Sequence, residues 1–423
     1  MDKTAVKIIT YFNGIEEFLI GILFFTLPFG WTFSIVPLVL FFTTLMVNMF
    51  TKPERPSKEK LLYFLPLISV FAWGVISLIY SKDVKEGIET LTTQLALLVA
   101  ALAFIFNRIT ANSVRKGFYM FLLGCLGSVA IMYGISIYNS SSIVGDAFVF
   151  RPFFETTGAC MLDTDATGNY FTGLALSNIV HPAYNALMLS MAMFIIFNNV
   201  KLNSTQLVYH DFWLTCFALF GITIILFSLN GTLVLSIVIS LLVIGILSVR
   251  KVYYGERSRA IYSIIFLFAA MLIINPQTKH LTSAVEAHSL QDRAKVTSSS
   301  FEVIKENWLI GVGIGDAKDE LFSTYRSRGE NELAERKLNS HNQFITTWLQ
   351  GGLIGLLILI WNFVTLSLRA RKKKVMLLHL FNVLVIVSFL FESMLLRYWG
   401  VITYTIFYGM LYFYSEEGEL EKQ

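Results

Sequence analysis

The feature that most constrains this chain is a series of apolar segments, each about 20 residues long and nearly free of charge. A helix of that length and composition spans the ~30 Å hydrocarbon core of a bilayer. Only 15% of the 423 residues are charged, whereas a soluble domain carries about 25%, so a soluble globular protein is disfavoured. The sequence therefore predicts an all-α integral membrane protein.

We predict twelve membrane-spanning helices along the chain. Turn chemistry separates the two closest pairs, at Pro28-Phe29-Gly30-Trp31 and at Asn230-Gly231. The twelve lie near residues 9–28, 31–50, 61–80, 86–107, 115–138, 175–198, 211–229, 231–249, 260–275, 342–367, 375–395 and 399–414.

The Lys and Arg residues concentrate in the even-numbered connections, which places those connections and both termini on the cytoplasmic side. Examples are Lys52, Arg55, Arg108, Lys116, Arg250, Lys251, Arg371 and Lys372. Two odd-numbered connections are long, near 139–174 and 276–341, and therefore face outward. This divides the chain into helices 1–9 with the first loop (1–275), the large periplasmic loop (276–341), and helices 10–12 with a cytoplasmic tail (342–423).

Familiar catalytic motifs are absent from the sequence. There is no Walker loop, HExxH, CxxC pair, GxSxG elbow or set of His and carboxylates at metal spacing. Gly311-Val312-Gly313-Ile314-Gly315 is Gly-rich but lies in an outward loop, where nucleotide is not expected. We therefore predict no metal and no cofactor.

Polar residues cluster instead at the predicted outer membrane boundary. His341, in Ser340-His341-Asn342, is of the type that accepts a proton from a hydroxyl; alternatively, the segment only caps a helix, with Ser340 as N-cap. Arg293 offers a planar fork of donors suited to pyrophosphate, or is a solvated loop residue paired with Asp292. A short amphipathic helix is predicted over 300–308.

Two further groups lie at the same boundary. His181-Pro182-Ala183-Tyr184 opens the sixth predicted helix, where His181 is more simply interpreted as structural than as catalytic. Glu392 and Arg397 flank the outer end of the eleventh predicted helix, as functional groups or as a mutual ion pair.

Together these segments resemble the O-antigen ligase and O-antigen polymerase superfamily. The resemblance is close over about 290–360 and rests on Arg293, Glu302 to Trp308, the Gly311–Gly315 turn, His341-Asn342-Gln343-Phe344 and Gly351-Gly352-Leu353-Ile354-Gly355. The segments 181–184 and 392–397 also look like members of this family.

The resemblance implies a GT-C-like fold and a metal-independent, inverting glycosyltransferase of the inner membrane. Its donor would be a glycan on undecaprenyl pyrophosphate, reached from the periplasm, and its acceptor a hydroxyl of a lipid A-core sugar. Relatives with other acceptors keep two alternatives open, namely a repeat-unit polymerase and a protein O-glycan transferase. A lipid-linked sugar transporter is the alternative from another class, although the predicted spans hold few ionisable residues for coupling.

The resemblance also implies roles for individual residues. Arg293 would bind the pyrophosphate and His341 would be the catalytic base. The donor site would further include Asn342, Asn230, Arg397, Glu392, His181 and Tyr184. Family members often carry a second Arg in a turn that here reads Ser228-Leu229-Asn230-Gly231-Thr232. Either another cation replaces that Arg, with Arg151, Arg397 and Lys279 as candidates, or the pyrophosphate is held differently.

Overall fold

The computed structural model of the protein describes residues 3–52, 54–155, 167–198, 210–227 and 291–416. Within these ranges the chain is mostly helical and divides into two compact units. The first unit is drawn from 1–23, 31–118 and 289–423, and the second from 24–30 and 119–288.

Fourteen helices and four strands lie in the described ranges. The helices are α1 (Lys3–Thr26), α2 (Trp31–Thr51), α3 (Lys58–Leu78), α4 (Val84–Phe106), α5 (Ala111–Ser140), α6 (Gly173–Leu176), α7 (Pro182–Phe197), α8 (His210–Phe227), α9 (291–306), α10 (Ala317–Ser327), α11 (Asn331–Glu335), α12 (Gln343–Lys373), α13 (Met376–Phe391) and α14 (Tyr398–Glu416). The strands are β1 (Ser141–Val144), β2 (Ala147–Phe150), β3 (Phe153–Glu155) and β4 (Thr167–Asn169). Short 3-10 turns occupy Leu27–Phe29 and Met394–Leu396.

Five helices of the described part are long and apolar enough to cross a membrane. They are Thr32–Thr51, Lys58–Leu78, Val84–Phe106, Ala111–Ser140 and Gln343–Lys373, and each coincides with a predicted span. The predicted spans at 231–249 and 260–275 and the Asn230-Gly231 turn lie outside the described residues. The all-α membrane class is confirmed in outline, whereas the count of twelve and the sidedness remain predictions.

Several predicted helix boundaries differ from the structure; the tenth predicted helix, for example, ends at Lys373 rather than 367. The sixth predicted helix, 175–198, is two helices, because α6 ends at Leu176 and α7 begins afresh at Pro182, a residue suited to the first turn. The eleventh ends at Phe391 rather than 395, since Glu392 takes an extended backbone with φ −150°. The helix predicted over 300–308 begins earlier and covers 291–306.

The connection predicted near 139–174 contains strands that the all-α prediction did not include. β1 pairs antiparallel with β2, and β3 pairs antiparallel with β4, as two separate two-stranded ribbons. The physical reason is local composition, because β-branched and aromatic residues flank a Gly145-Asp146 turn in which Gly145 has φ +62°.

The first unit is organised around a break within α12. Gly352 has φ +64° and ψ −166°, which interrupts the helical hydrogen-bond ladder there. The segment after α9 fills the gap with backbone groups. The N–H groups of Val312 and Gly313 donate to the carbonyls of Leu349 and Gln350 (2.9 and 3.1 Å), and those of Leu353 and Ile354 donate to the carbonyls of Trp308 and Leu309 (2.8 and 3.4 Å).

Glycine is required on both sides of this contact. A Cβ on Gly352 would lie 2.2 Å from the Leu309 carbonyl oxygen, and a Cβ on Gly311 would lie 2.6 Å from the Gly352 nitrogen. Both residues also have positive φ, a conformation that other side chains adopt with strain. The Gly-rich turn is thus a backbone docking element.

The same turn is fixed to the connection between α3 and α4. The Ser81 hydroxyl accepts a hydrogen bond from the Gly315 N–H at 3.1 Å. The Asp316 carboxylate accepts from the N–H groups of Lys82 and Asp83, at 2.8 and 2.7 Å. Two independent anchors therefore hold residues 308–316, and with them the end of α9.

A small hydrophobic core joins α9, α10 and α11 to the first turns of α12. Its members include Val296, Val303, Ile304, Leu321, Tyr325, Leu333, Ile345 and Leu349. Because α9 and α12 share this core, the side chains at the start of α9 are held at a fixed place relative to the start of α12.

We predict that Gly352→Ala destabilises the protein by about 1–3 kcal/mol, because it adds strain and displaces the docked Leu309 backbone. The matched control is Gly134→Ala in α5, where a Cβ meets nothing within 4 Å and alanine favours the helix. Thermal unfolding in lipid nanodiscs compares the two. Equal unfolding midpoints would contradict the docking role.

Candidate active site

The turn before α12 is shaped by its polar side chains. The Asn342 carboxamide oxygen accepts from the N–H groups of Phe344 and Ile345, at 2.9 and 3.1 Å. Asn342 is therefore the N-cap of α12, and the interpretation of Ser340 as N-cap is wrong. Ser340 does not cap the helix because its hydroxyl hydrogen-bonds to the hydroxyls of Thr346 and Ser393.

His341 adopts a left-handed backbone conformation with φ +46°. Its N–H donates to the Asn339 side-chain oxygen at 2.9 Å, a local turn that supports the conformation. Residues other than glycine and asparagine adopt this region at a cost of about 1–2 kcal/mol. Such strain is concentrated at functional sites, which makes His341 a candidate functional residue.

Three buried hydroxyl groups connect the His341 turn to the end of α13. The Thr346 hydroxyl lies 2.6 Å from that of Ser340 and 2.8 Å from that of Ser393, and the two serines lie 3.4 Å apart. We call these residues the hydroxyl cluster. Since Ser340 precedes His341 and Ser393 follows Glu392, the hydroxyl cluster positions the two titratable residues together.

His341 and Glu392 face one another. The His341 Nδ1 atom lies 3.6 Å from Glu392 Oε2, with the side chains 33% and 17% exposed. A carboxylate beside Nδ1 orients an imidazole and stabilises its protonated form. The Nε2 atom of His341 is then the ring nitrogen left for a substrate hydroxyl.

Arg293 lies on α9 and is half-buried. Burial lowers the pKa of Arg293, and the negative charge of Glu392 acts in the opposite direction. Glu392 is therefore close enough to act electrostatically on Arg293 as well as on His341. The neighbouring Asp292 carboxylate pairs with Arg336 at 2.8 Å.

Gln343 is a site residue that the sequence interpretation missed. It is 1% exposed, and its side-chain oxygen accepts from the Leu395 N–H at 2.7 Å. That bond fixes the connection between α13 and α14, which carries Glu392 and Arg397. Gln343 could have been recognised from the sequence, because it is a polar residue in the first turn of a predicted apolar helix. The Arg397 side chain is exposed.

The other predicted site residues lie in the second unit or outside the described ranges. The Nδ1 atom of His181 accepts from the Ala183 N–H at 3.3 Å, so His181 is the N-cap of α7. Its ring meets that of Tyr184 edge-on at 6.0 Å. This geometry agrees with the structural interpretation of His181. Asn230 and Lys279 lie outside the described residues.

No group of three or more His, Cys, Asp or Glu side chains is arranged to hold a metal ion within the described ranges. The structure thus brings together His341, Glu392 and Arg293. Chemically, these side chains are an imidazole that can accept a proton, a carboxylate that can orient it and a planar cation.

We predict that Thr346→Val loosens the His341 turn, because it removes two buried hydroxyl contacts worth about 1–3 kcal/mol. Hydrogen exchange of residues 339–346 should accelerate. Thr92→Val is the control, since Thr92 is exposed on α4 and its hydroxyl donates to the Ile88 carbonyl of the same helix. Equal exchange in both variants would show that the hydroxyl cluster does not hold the turn.

Comparison with known families supports the resemblance seen in the sequence. Residues 214–360 match the family model described as O-Antigen ligase, about a third of the chain. The match includes Arg293, the docking turn and His341, and it indicates a glycosyltransferase-like enzyme. A comparison with curated protein sequences found no match.

Proposed function

We propose that this chain, which matches the O-Antigen ligase family model at residues 214–360, moves a glycan from undecaprenyl pyrophosphate to a sugar hydroxyl of lipid A-core. The reaction takes place at the periplasmic face of the inner membrane. The observation that carries the proposal is the convergence of His341, Glu392 and Arg293 in the first unit.

The proposed reaction is a direct displacement at the anomeric carbon of the donor. The acceptor oxygen forms a bond to that carbon, and the bond from the carbon to the pyrophosphate oxygen breaks. Its electron pair leaves with the lipid pyrophosphate, so the anomeric centre is inverted. The proton of the acceptor hydroxyl passes to Nε2 of His341.

Glu392 supports His341 from the opposite side of the imidazole. Its carboxylate lies 3.6 Å from Nδ1 and stabilises the imidazolium that forms when the proton is taken. Arg293 neutralises charge that accumulates on the leaving pyrophosphate, through two parallel hydrogen bonds.

The leaving group is already activated, so the reaction needs a cation and a base but no metal or nucleotide. Asn342, Arg397 and Glu392 complete the proposed donor site in the first unit. For His181 and Tyr184, donor binding is proposed from the family resemblance alone. Asn230 belongs to the same proposal through the family pattern of the Ser228–Thr232 turn.

We predict that His341→Ala reduces glycan transfer by at least about 100-fold, because the acceptor proton loses its base. His379→Ala is the matched control, since His379 lies at the other end of α13 from Glu392. Transfer is measured with purified protein in nanodiscs at equal protein levels. Full transfer by His341→Ala would remove the residue from the reaction.

We predict that Arg293→Lys also abolishes or severely slows glycan transfer. The substitution keeps the positive charge, but lysine lacks the planar fork of donors that arginine offers to pyrophosphate. The control is Arg326→Lys, at an exposed position in α10. Initial rates over a range of donor concentrations separate donor binding from turnover. A fully active Arg293→Lys would rule out bidentate pyrophosphate binding.

The choice of acceptor is tested by reconstitution with one donor and different acceptors. Purified protein receives an undecaprenyl-pyrophosphate-linked glycan with lipid A-core, with a Ser/Thr peptide, or alone. Product formed only with lipid A-core supports the proposal. A ladder formed from the donor alone identifies a repeat-unit polymerase, and modified peptide identifies a protein O-glycan transferase.

A further inference from the structure

The β1–β2 ribbon of the second unit exposes large apolar side chains. Ile143 is 79% exposed and Phe148 70% exposed, and among the described residues neither strand pairs with a third. An isolated two-stranded ribbon is marginally stable in water, and clustered exposed apolar residues mark an interaction surface. Such a ribbon needs an apolar surface to lie against.

The two faces of the ribbon differ in character. Ile143 lies opposite Phe148, and Ser141 lies opposite Phe150, so Ile143, Phe148 and Phe150 share one face. The other face carries the smaller side chains of Ser142, Val144, Ala147 and Val149. The large apolar side chains therefore form one surface, which we call the Phe148 face.

The ribbon begins where a membrane-spanning helix leaves the hydrocarbon core. β1 follows directly on Ser140, the last residue of α5. In α5, 22 residues separate Lys116 from Tyr138, which is about 33 Å at 1.5 Å per residue. This distance matches the ~30 Å hydrocarbon core. With Lys116 at one boundary, Tyr138 lies at the other.

The residues at the base of the ribbon are typical of a membrane–water interface. Tyr138 is 80% exposed on the last turns of α5, and interfacial belts are rich in tyrosine. Arg151 is exposed directly after β2, and its N–H donates to the Ser140 carbonyl at 2.7 Å. A cation at this height is suited to lipid phosphate groups.

Two features exclude upright insertion of the β1–β2 ribbon into the hydrocarbon core. A two-stranded ribbon has unpaired backbone groups along both outer edges, and such groups are costly in hydrocarbon. The turn also carries the exposed carboxylate of Asp146. The ribbon can therefore lie along the interface but cannot insert upright.

From these observations we propose that the β1–β2 ribbon is a lipid-binding element. It lies flat in the interface of the leaflet where α5 ends, with the Phe148 face against the upper acyl chains and Arg151 among the phosphates. The partner is a phospholipid surface. This proposal does not depend on the glycan transfer proposed above.

The test places a single fluorescent label on either face of the ribbon. In a full-length chain with Cys125→Ala, Cys160→Ala and Cys216→Ala, one variant adds Phe148→Cys and the control adds Ser142→Cys. Each is labelled with nitrobenzoxadiazole and reconstituted in phosphatidylethanolamine–phosphatidylglycerol nanodiscs. Quenching is measured with a doxyl lipid and with aqueous iodide.

The expected result is about threefold stronger lipid quenching at position 148 than at 142, with the reverse order for iodide. Equal iodide quenching at both positions would overturn the proposal, because the ribbon would stand in water. Protection of position 148 from both quenchers would also overturn it, because the Phe148 face would be covered by protein, either this chain or a second copy. Ile143→Cys, on the same face, repeats the test if Phe148→Cys misfolds.

Discussion

The break in α12 at Gly352 is the constraint on which the rest of the first unit depends. A helix interrupted inside a membrane protein leaves backbone groups without partners, each costing about 1–3 kcal/mol when buried. Here residues 308–313 supply those partners through four backbone hydrogen bonds. The contact is possible only because Gly311 and Gly352 lack a Cβ. A Gly-rich stretch that looks like a phosphate loop thus joins two helices by their backbones.

This docking explains how three residues far apart in the chain reach one place. Roughly 50 residues separate Arg293 from His341, and roughly 50 more separate His341 from Glu392. The docked turn and the small core fix α9 against the start of α12, while the hydroxyl cluster and Gln343 fix α12 against the end of α13. The strained backbone of His341 persists because both sides of its turn are held. An imidazole, a carboxylate and a guanidinium group are thereby held in one part of the first unit.

The positions of the long helices and the break between α1 and α2 could be predicted from the sequence, because they depend on local composition. The apolar runs predicted the five long helices, and Pro28 with Gly30 predicted the break between α1 and α2, where a 3-10 turn occurs. The resemblance placed His341, Arg293 and Glu392 in one site, but the contacts that bring them together could not be predicted, because periodicity says nothing of which distant segments meet. The cap was assigned to Ser340 rather than Asn342 because both are good caps and only the hydroxyl cluster decides between them. The β ribbons were missed because a long outward loop was treated as irregular.

We propose that the His341–Glu392–Arg293 site binds the donor pyrophosphate and positions the base. Its most direct test is an experimental structure of the chain in a lipid nanodisc with a non-hydrolysable phosphonate analogue of an undecaprenyl-pyrophosphate-linked glycan. We expect the pyrophosphate group against the Arg293 guanidinium and Nε2 of His341 facing the anomeric carbon, with Glu392 beside Nδ1. A pyrophosphate bound away from Arg293, or a His341 ring turned from the sugar, would contradict it.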